Sequence, residues 1–150
     1  MSVDGQAIVT LEELEDERGM VVTIDKLESL SPELHDTVNY ASQFGIKGES
    51  AINTLSWDVM EEFLRSDVQF GLLYAHDLMS DEDADRFTSC ILEYFDPDTT
   101  EIHVNFRTKM EESGRLTRNG WNACTESTCD YLYILKDKHR IGVCWAAVDD

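Results

Sequence analysis

The sequence predicts an α/β fold in which helices pack on a small parallel sheet, with a β-hairpin added at the C-terminal end. Three observations carry that expectation. Short β-branched or uninterrupted apolar runs of strand length recur along the chain. Segments of helical periodicity lie between them, and the central order strand, helix, helix, strand, helix, strand puts helices where crossovers between parallel strands belong.

Residues 1–19 hold the apolar run Ala7-Ile8-Val9 and an acidic stretch from Glu12 to Glu17, which reads either as a helical turn or as a solvated arm, ended by Gly19. The cluster Val21-Val22-Thr23-Ile24 predicts the first strand. Ser31-Pro32-Glu33-Leu34 combines a serine cap, a proline in the first helical position and a first-turn acid. Leu34, Val38, Ala41 and Phe44 then recur up to Gly45, which predicts one helix of about four turns. After a glycine-containing connection, a second helix capped by Ser56 is expected from Trp57 to about Arg65. Trp57, Val59, Met60, Phe63 and Leu64 form its apolar side, and Asp58, Glu61, Glu62 and Arg65 share the other.

The mostly apolar run from Val68 to Ala75 reads as a buried strand. Asp81-Glu82-Asp83 sits where a helix N-terminus favours negative charge, with Ala84, Phe87, Ile91, Tyr94 and Phe95 as the buried stripe and Asp96-Pro97-Asp98 as the stop. Glu101 to Phe106 alternates like a half-buried strand. Residues 107–130 carry no clear period, with Trp121 as the expected anchor to the core. The runs Tyr131–Leu135 and Ile141–Ala146 flank a polar turn around Asp137-Lys138-His139-Arg140 and predict the closing hairpin.

A chain of 150 residues without internal repeats or a Gly/Ser or Pro-rich linker is expected to form a single acidic domain. Its charge is the departure from the ordinary: 31 acidic against 12 basic residues give a net charge of -19. Such a field attracts cationic surfaces and repels nucleic acid and anionic lipid, so neither direct nucleic-acid binding nor membrane binding is expected. The acid reads as a solvated coat, as adaptation to high salt, or as a competitor for a basic site on another protein. Met1 to Gln6 lack a basic region followed by an apolar stretch, and no apolar run reaches the roughly 18 residues of a membrane span, so a cytoplasmic location with four free thiols is expected.

Motifs of readable chemistry are missing: there is no glycine-rich phosphate loop, no Gly-x-Ser-x-Gly elbow and no His-Glu-x-x-His. Asp81 to Asp85 begins like a calcium loop, but Arg86 stands where glycine is needed and Leu92 where glutamate is needed. Cys124, Cys129 and His139 lack the spacing of a structural zinc site. His35, His76, His103 and His139 lie in separate elements without an obvious nucleophile nearby. No catalytic residue, metal or cofactor is therefore expected.

From about Met20 to Phe106 the chain resembles the barstar family of intracellular ribonuclease inhibitors. The resemblance lies in Val21-Val22-Thr23-Ile24, the helix start Ser31-Pro32-Glu33-Leu34-His35, Gly48-Glu49, and Asn53-Thr54-Leu55-Ser56-Trp57-Asp58, followed by the order of the later elements. It implies a barstar-like core over 20–106, extended by residues 107–150. It also implies that Asp58 enters the active site of a basic nuclease with Trp57 as its aromatic neighbour, Glu49 in the binding connection and Glu93 as a second interfacial acid; Glu62, on the polar side of the second helix with Asp58, is expected to meet the partner as well. The expectation is an acidic inhibitor or immunity-type protein that blocks a basic enzyme, a nuclease first. A nucleic-acid mimic acting through diffuse charge on a defence or DNA-binding protein, an acidic chaperone with an apolar dimer face, and an enzyme whose site assembles across distant residues stand as alternatives.

Overall fold

The computed structural model describes residues 21–70, 80–121 and 129–148. The acidic stretch at 12–17, residues 71–75 of the expected buried strand, His76 and Cys124 lie outside them, as do the side chains of Trp121 and Cys129.

The first β-branched cluster extends into β1 (Val21–Lys26). The expected long helix after Ser31 does not form. Pro32–His35 make one 3-10 turn, after which Asp36 turns extended and its carboxylate accepts the Asn39 N–H at 3.0 Å, capping a short α1 (Thr37–Ser42). A short acid inside a helical pattern can recruit a backbone donor of its own, and here it restarts the helix. The His35 ring nitrogen Nε2 meets the Leu27 carbonyl at 2.7 Å, which holds this turn to the end of β1.

The chain continues through a further 3-10 turn, Gly48–Ser50, into β2 (Asn53–Thr54) and then α2 (Trp57–Phe70). Residues 68–70, read as the start of a strand, belong to this helix. Val68 extends the stripe of Met60 and Leu64 at a spacing of four, and all three are fully buried. Ser80 caps α3 (Asp81–Leu92) by accepting the Asp83 N–H at 3.1 Å, and the three first-turn acids sit at the positive end of the helix dipole.

β3 (Glu101–Val104) stops at Asn105, a fully buried residue whose N–H donates to the Leu132 carbonyl while its Oδ1 accepts the Leu132 N–H at 2.8 Å. There the chain leaves the sheet for a two-stranded hairpin of β4 (Phe106–Met110) and β5 (Leu116–Trp121). It returns as β6 (Cys129–Lys136) and β7 (Arg140–Val148).

The main sheet has five strands in the order β1-β7-β6-β3-β2, and every neighbouring pair is antiparallel. This overturns the expected small parallel sheet. Nor is the C-terminal hairpin an addition: β6 and β7 lie in the middle, separating β1 from β3. An apolar run reports burial on both faces of a strand, and such burial arises in an antiparallel sheet once both faces are covered. Tyr131, Tyr133 and Leu135 point from β6 into a core shared with Met60, Leu64, Phe87 and Ile91 of α2 and α3. Leu132 and Ile134 point the opposite way, toward Tyr40 and Ala41 of α1 and Ile46. Each such fully buried large side chain stabilises the fold by about 1.5–3 kcal/mol.

Candidate functional site

Two acidic stripes meet on the outer side of the α2/α3 layer. On α2, Asp58, Glu61 and Glu62 are exposed beside Arg65, because Met60, Leu64 and Val68 take the buried side. On α3 and its end, Asp81, Asp85, Ser89 and Glu93 recur every four residues, opposite the buried Ala84, Phe87 and Ile91. Between the helices runs a concave groove of about 320 Å³, lined by Glu61, Arg65, Asp85, Ser89 and Glu93 with Thr88 and Leu92 at its floor.

Arg65 is already committed within this groove. It pairs with Asp85, approaches the Asp81 carboxylate at 3.5 Å, and donates to Gln69 Oε1 at 3.1 Å, while Gln69 in turn donates to Asp81 at 2.7 Å. The Gln69 donor holds the Asp81 carboxyl below its usual range, and Arg65 acts in the same direction. Arg86 lies 3.7 Å from Asp83. Among the described residues, no cation stands within salt-bridge distance of Asp58, Glu61, Glu62, Glu82 or Glu93.

Trp57, expected as an aromatic partner of Asp58 at an interface, packs against the α2/α3 core and is partly buried. Glu49 is exposed in the Gly48–Ser50 turn, which packs on α1 in the other layer, so it does not join the groove. Asp58, Glu62 and Glu93 share the α2/α3 side, with Glu93 alone of these lining the groove. Asp85 was not expected at such a site, whereas Ser89 was expected on the polar side of the helix with Glu93. The signal for Asp85 was the four-residue spacing from Asp81 to Glu93, legible only once α3 is known to lie beside α2.

A second cluster of charge is buried. Arg118 of β5 donates to both oxygens of Asp67 on α2, at 2.9 and 2.6 Å, and the Tyr133 hydroxyl of β6 donates to the same carboxylate. The guanidinium also stacks on the Phe106 ring at 4.1 Å. Burial pushes the Asp67 carboxyl upward, with Arg118 and Tyr133 pulling against it. Burial disfavours the Arg118 charge, but Asp67 overrides it and holds the guanidinium above its usual value. With every oxygen accepting, the carboxylate is spent on the fold: it ties the β4–β5 hairpin to the helix layer.

Among the described residues, no three His, Cys, Asp or Glu side chains converge as a metal site, and no helix is long and apolar enough to cross a membrane. No family model matches the chain, and no curated protein or solved structure matches it.

Proposed function

We propose that this protein is an acidic inhibitor or immunity-type protein, without catalytic activity of its own, that binds a basic partner enzyme through the outer side of α2 and α3 and blocks it. The observation that supports this is the set of exposed carboxylates Asp58, Glu61, Glu62, Glu82 and Glu93, which among the described residues meet no cation, on the side of a groove whose own arginine is already neutralised. Carboxylates held on two packed helices are pre-positioned to meet guanidinium and ammonium groups, and desolvated pairs of this kind give specificity. The choice of a nuclease follows from the chemistry of such enzymes, whose phosphate-binding sites are basic, and from the likeness of Asn53 to Asp58 to the barstar family. That likeness is one of local sequence, since the sheet is antiparallel.

A nucleic-acid mimic is the second reading. It is favoured by exposed acids in the other layer, Glu28, Glu33, Asp36 and Glu49, which spread the charge over more than one side. Purification of basic proteins on the immobilised full chain, followed by calorimetry and an activity assay with the recovered enzyme, separates the two. Asp58→Ala is expected to weaken binding at least about thirtyfold, because it strands a cation on the partner. Glu33→Ala removes the same charge from the other layer and is expected to weaken it less than about fivefold. Equal small losses support the mimic, and a bound enzyme that keeps its full activity overturns the inhibitor.

A further inference from the structure

Among the described residues, a cluster of positive charge lies where β1 ends against the β6–β7 turn. There Lys26, Leu27, Glu28, Lys138, His139 and Arg140 line a concave site of about 290 Å³. Hydrogen bonds fix the backbone that builds it. The Leu27 N–H donates to the His139 carbonyl at 2.9 Å, closing the end of the β1–β7 ladder. Buried Asp137 accepts the N–H groups of His139 and Arg140, both at 2.8 Å, and that of Asp96 at 2.9 Å. Its charge is therefore turned toward backbone donors, and it fixes the turn that presents Lys138, His139 and Arg140. Arg140, also in the lining, donates to the Tyr94 carbonyl at 3.2 Å and lies over the Tyr94 ring at 5.5 Å, which fixes its guanidinium against the end of α3.

What points to a ligand is the lack of neutralisation. The chain carries 31 acids, yet among the described residues no carboxylate stands within salt-bridge distance of Lys26, Lys138 or Arg140. Glu28 is the one acid in the lining, against three full cations and a histidine. Cations held together in a concavity repel one another unless an anion joins them.

We infer that this site binds the phosphate of a small phosphorylated ligand of mononucleotide size. The Arg140 donors not spent on Tyr94 can meet phosphate oxygens, and two lysines supply mobile point charges. The size of the site, near the lower end of small-molecule pockets, fits a mononucleotide and exceeds what a lone phosphate fills. A polyanion would run out of this site into the surrounding acidic field, so the ligand is a small molecule and not a nucleic-acid strand.

Titration of the full chain with adenosine diphosphate, inorganic phosphate, adenosine and an oligothymidylate at constant ionic strength tests this, read by backbone amide shifts. The diphosphate is expected to bind saturably at one site, with shifts centred on Lys26 to Glu28 and Lys138 to Arg140, inorganic phosphate more weakly, and adenosine not at all. Lys26→Ala with Lys138→Ala, both at exposed positions, should weaken the diphosphate at least about tenfold, whereas Glu28→Gln should tighten it a few fold. Thermal melts confirm that the variants remain folded. No saturation below about 10 mM, an equal response to adenosine, tighter binding of the oligothymidylate, or indifference to the lysine variants overturns the inference.

Discussion

Replacing Arg118 by alanine should damage this protein in a manner that depends on pH. In the native structure Arg118 reaches both oxygens of Asp67, whose side chain is 3% exposed. Truncation leaves that carboxylate with the Tyr133 hydroxyl as its remaining side-chain donor. Breaking a buried ion pair from one side costs about 3–5 kcal/mol, a large part of the roughly 5–15 kcal/mol by which a domain is stable. The buried carboxyl has an escape, since it can take up a proton. Burial already pushes Asp67 upward, and without Arg118 its folded-state pKa rises further above the unfolded value of about 3.9. A raised folded-state value contributes stability below the unfolded pKa and loses it as pH rises through the folded one. The deficit of Arg118→Ala should therefore be greatest at neutral pH and narrow as the solution is acidified toward pH 5. Urea unfolding followed by circular dichroism at the two pH values measures it. Adding Asp67→Asn to the same chain removes the charge, so the double variant should recover part of the loss at neutral pH and lose the pH dependence. A deficit below about 1 kcal/mol, or one equal at both pH values, would refute the account of Asp67 as a buried charge held by Arg118.

Two further outcomes follow from single positions. Asp137→Asn should cost about 1–3 kcal/mol at neutral pH: burial works against the Asp137 charge, but the N–H groups of Asp96, His139 and Arg140 hold its carboxyl below the usual range. A lowered value contributes stability above the unfolded pKa and loses it on acidification through the folded one, so chemical denaturation should show this gap closing only in acid. Gly48→Ala should destabilise by about 1–3 kcal/mol, because its Cβ would stand 2.5 Å from the Val38 carbonyl oxygen, a backbone atom that cannot swing aside; an unchanged melting temperature would show that α1 and the Gly48–Ser50 turn can part without loss.

Local chemistry in the sequence was sufficient to place β1, the helix starts at Ser56 and at Asp81-Glu82-Asp83, the buried stripes of α2 and α3, and the β6–β7 hairpin. Each depends on neighbours within a few residues, through alternation, a period near four or a capping side chain. It was sufficient also to put Asp58, Glu61 and Glu62 away from Met60 and Leu64. Strand direction was not legible, because Tyr131 to Leu135 reads as an apolar run whichever way its neighbours point; only the packing of α1 on one side and α2 with α3 on the other explains it. The break at Asp36 turned on competition between a side-chain cap and helix continuation, which periodicity does not weigh. Asp67 lies 51 residues from Arg118, and Lys26 more than a hundred from Lys138 and Arg140. The buried ion pair therefore had no signature along the chain, and of the cationic site only the turn Lys138-His139-Arg140 was legible: charges so far apart become neighbours only when the antiparallel sheet brings the end of β1 to the β6–β7 turn and the β4–β5 hairpin to α2.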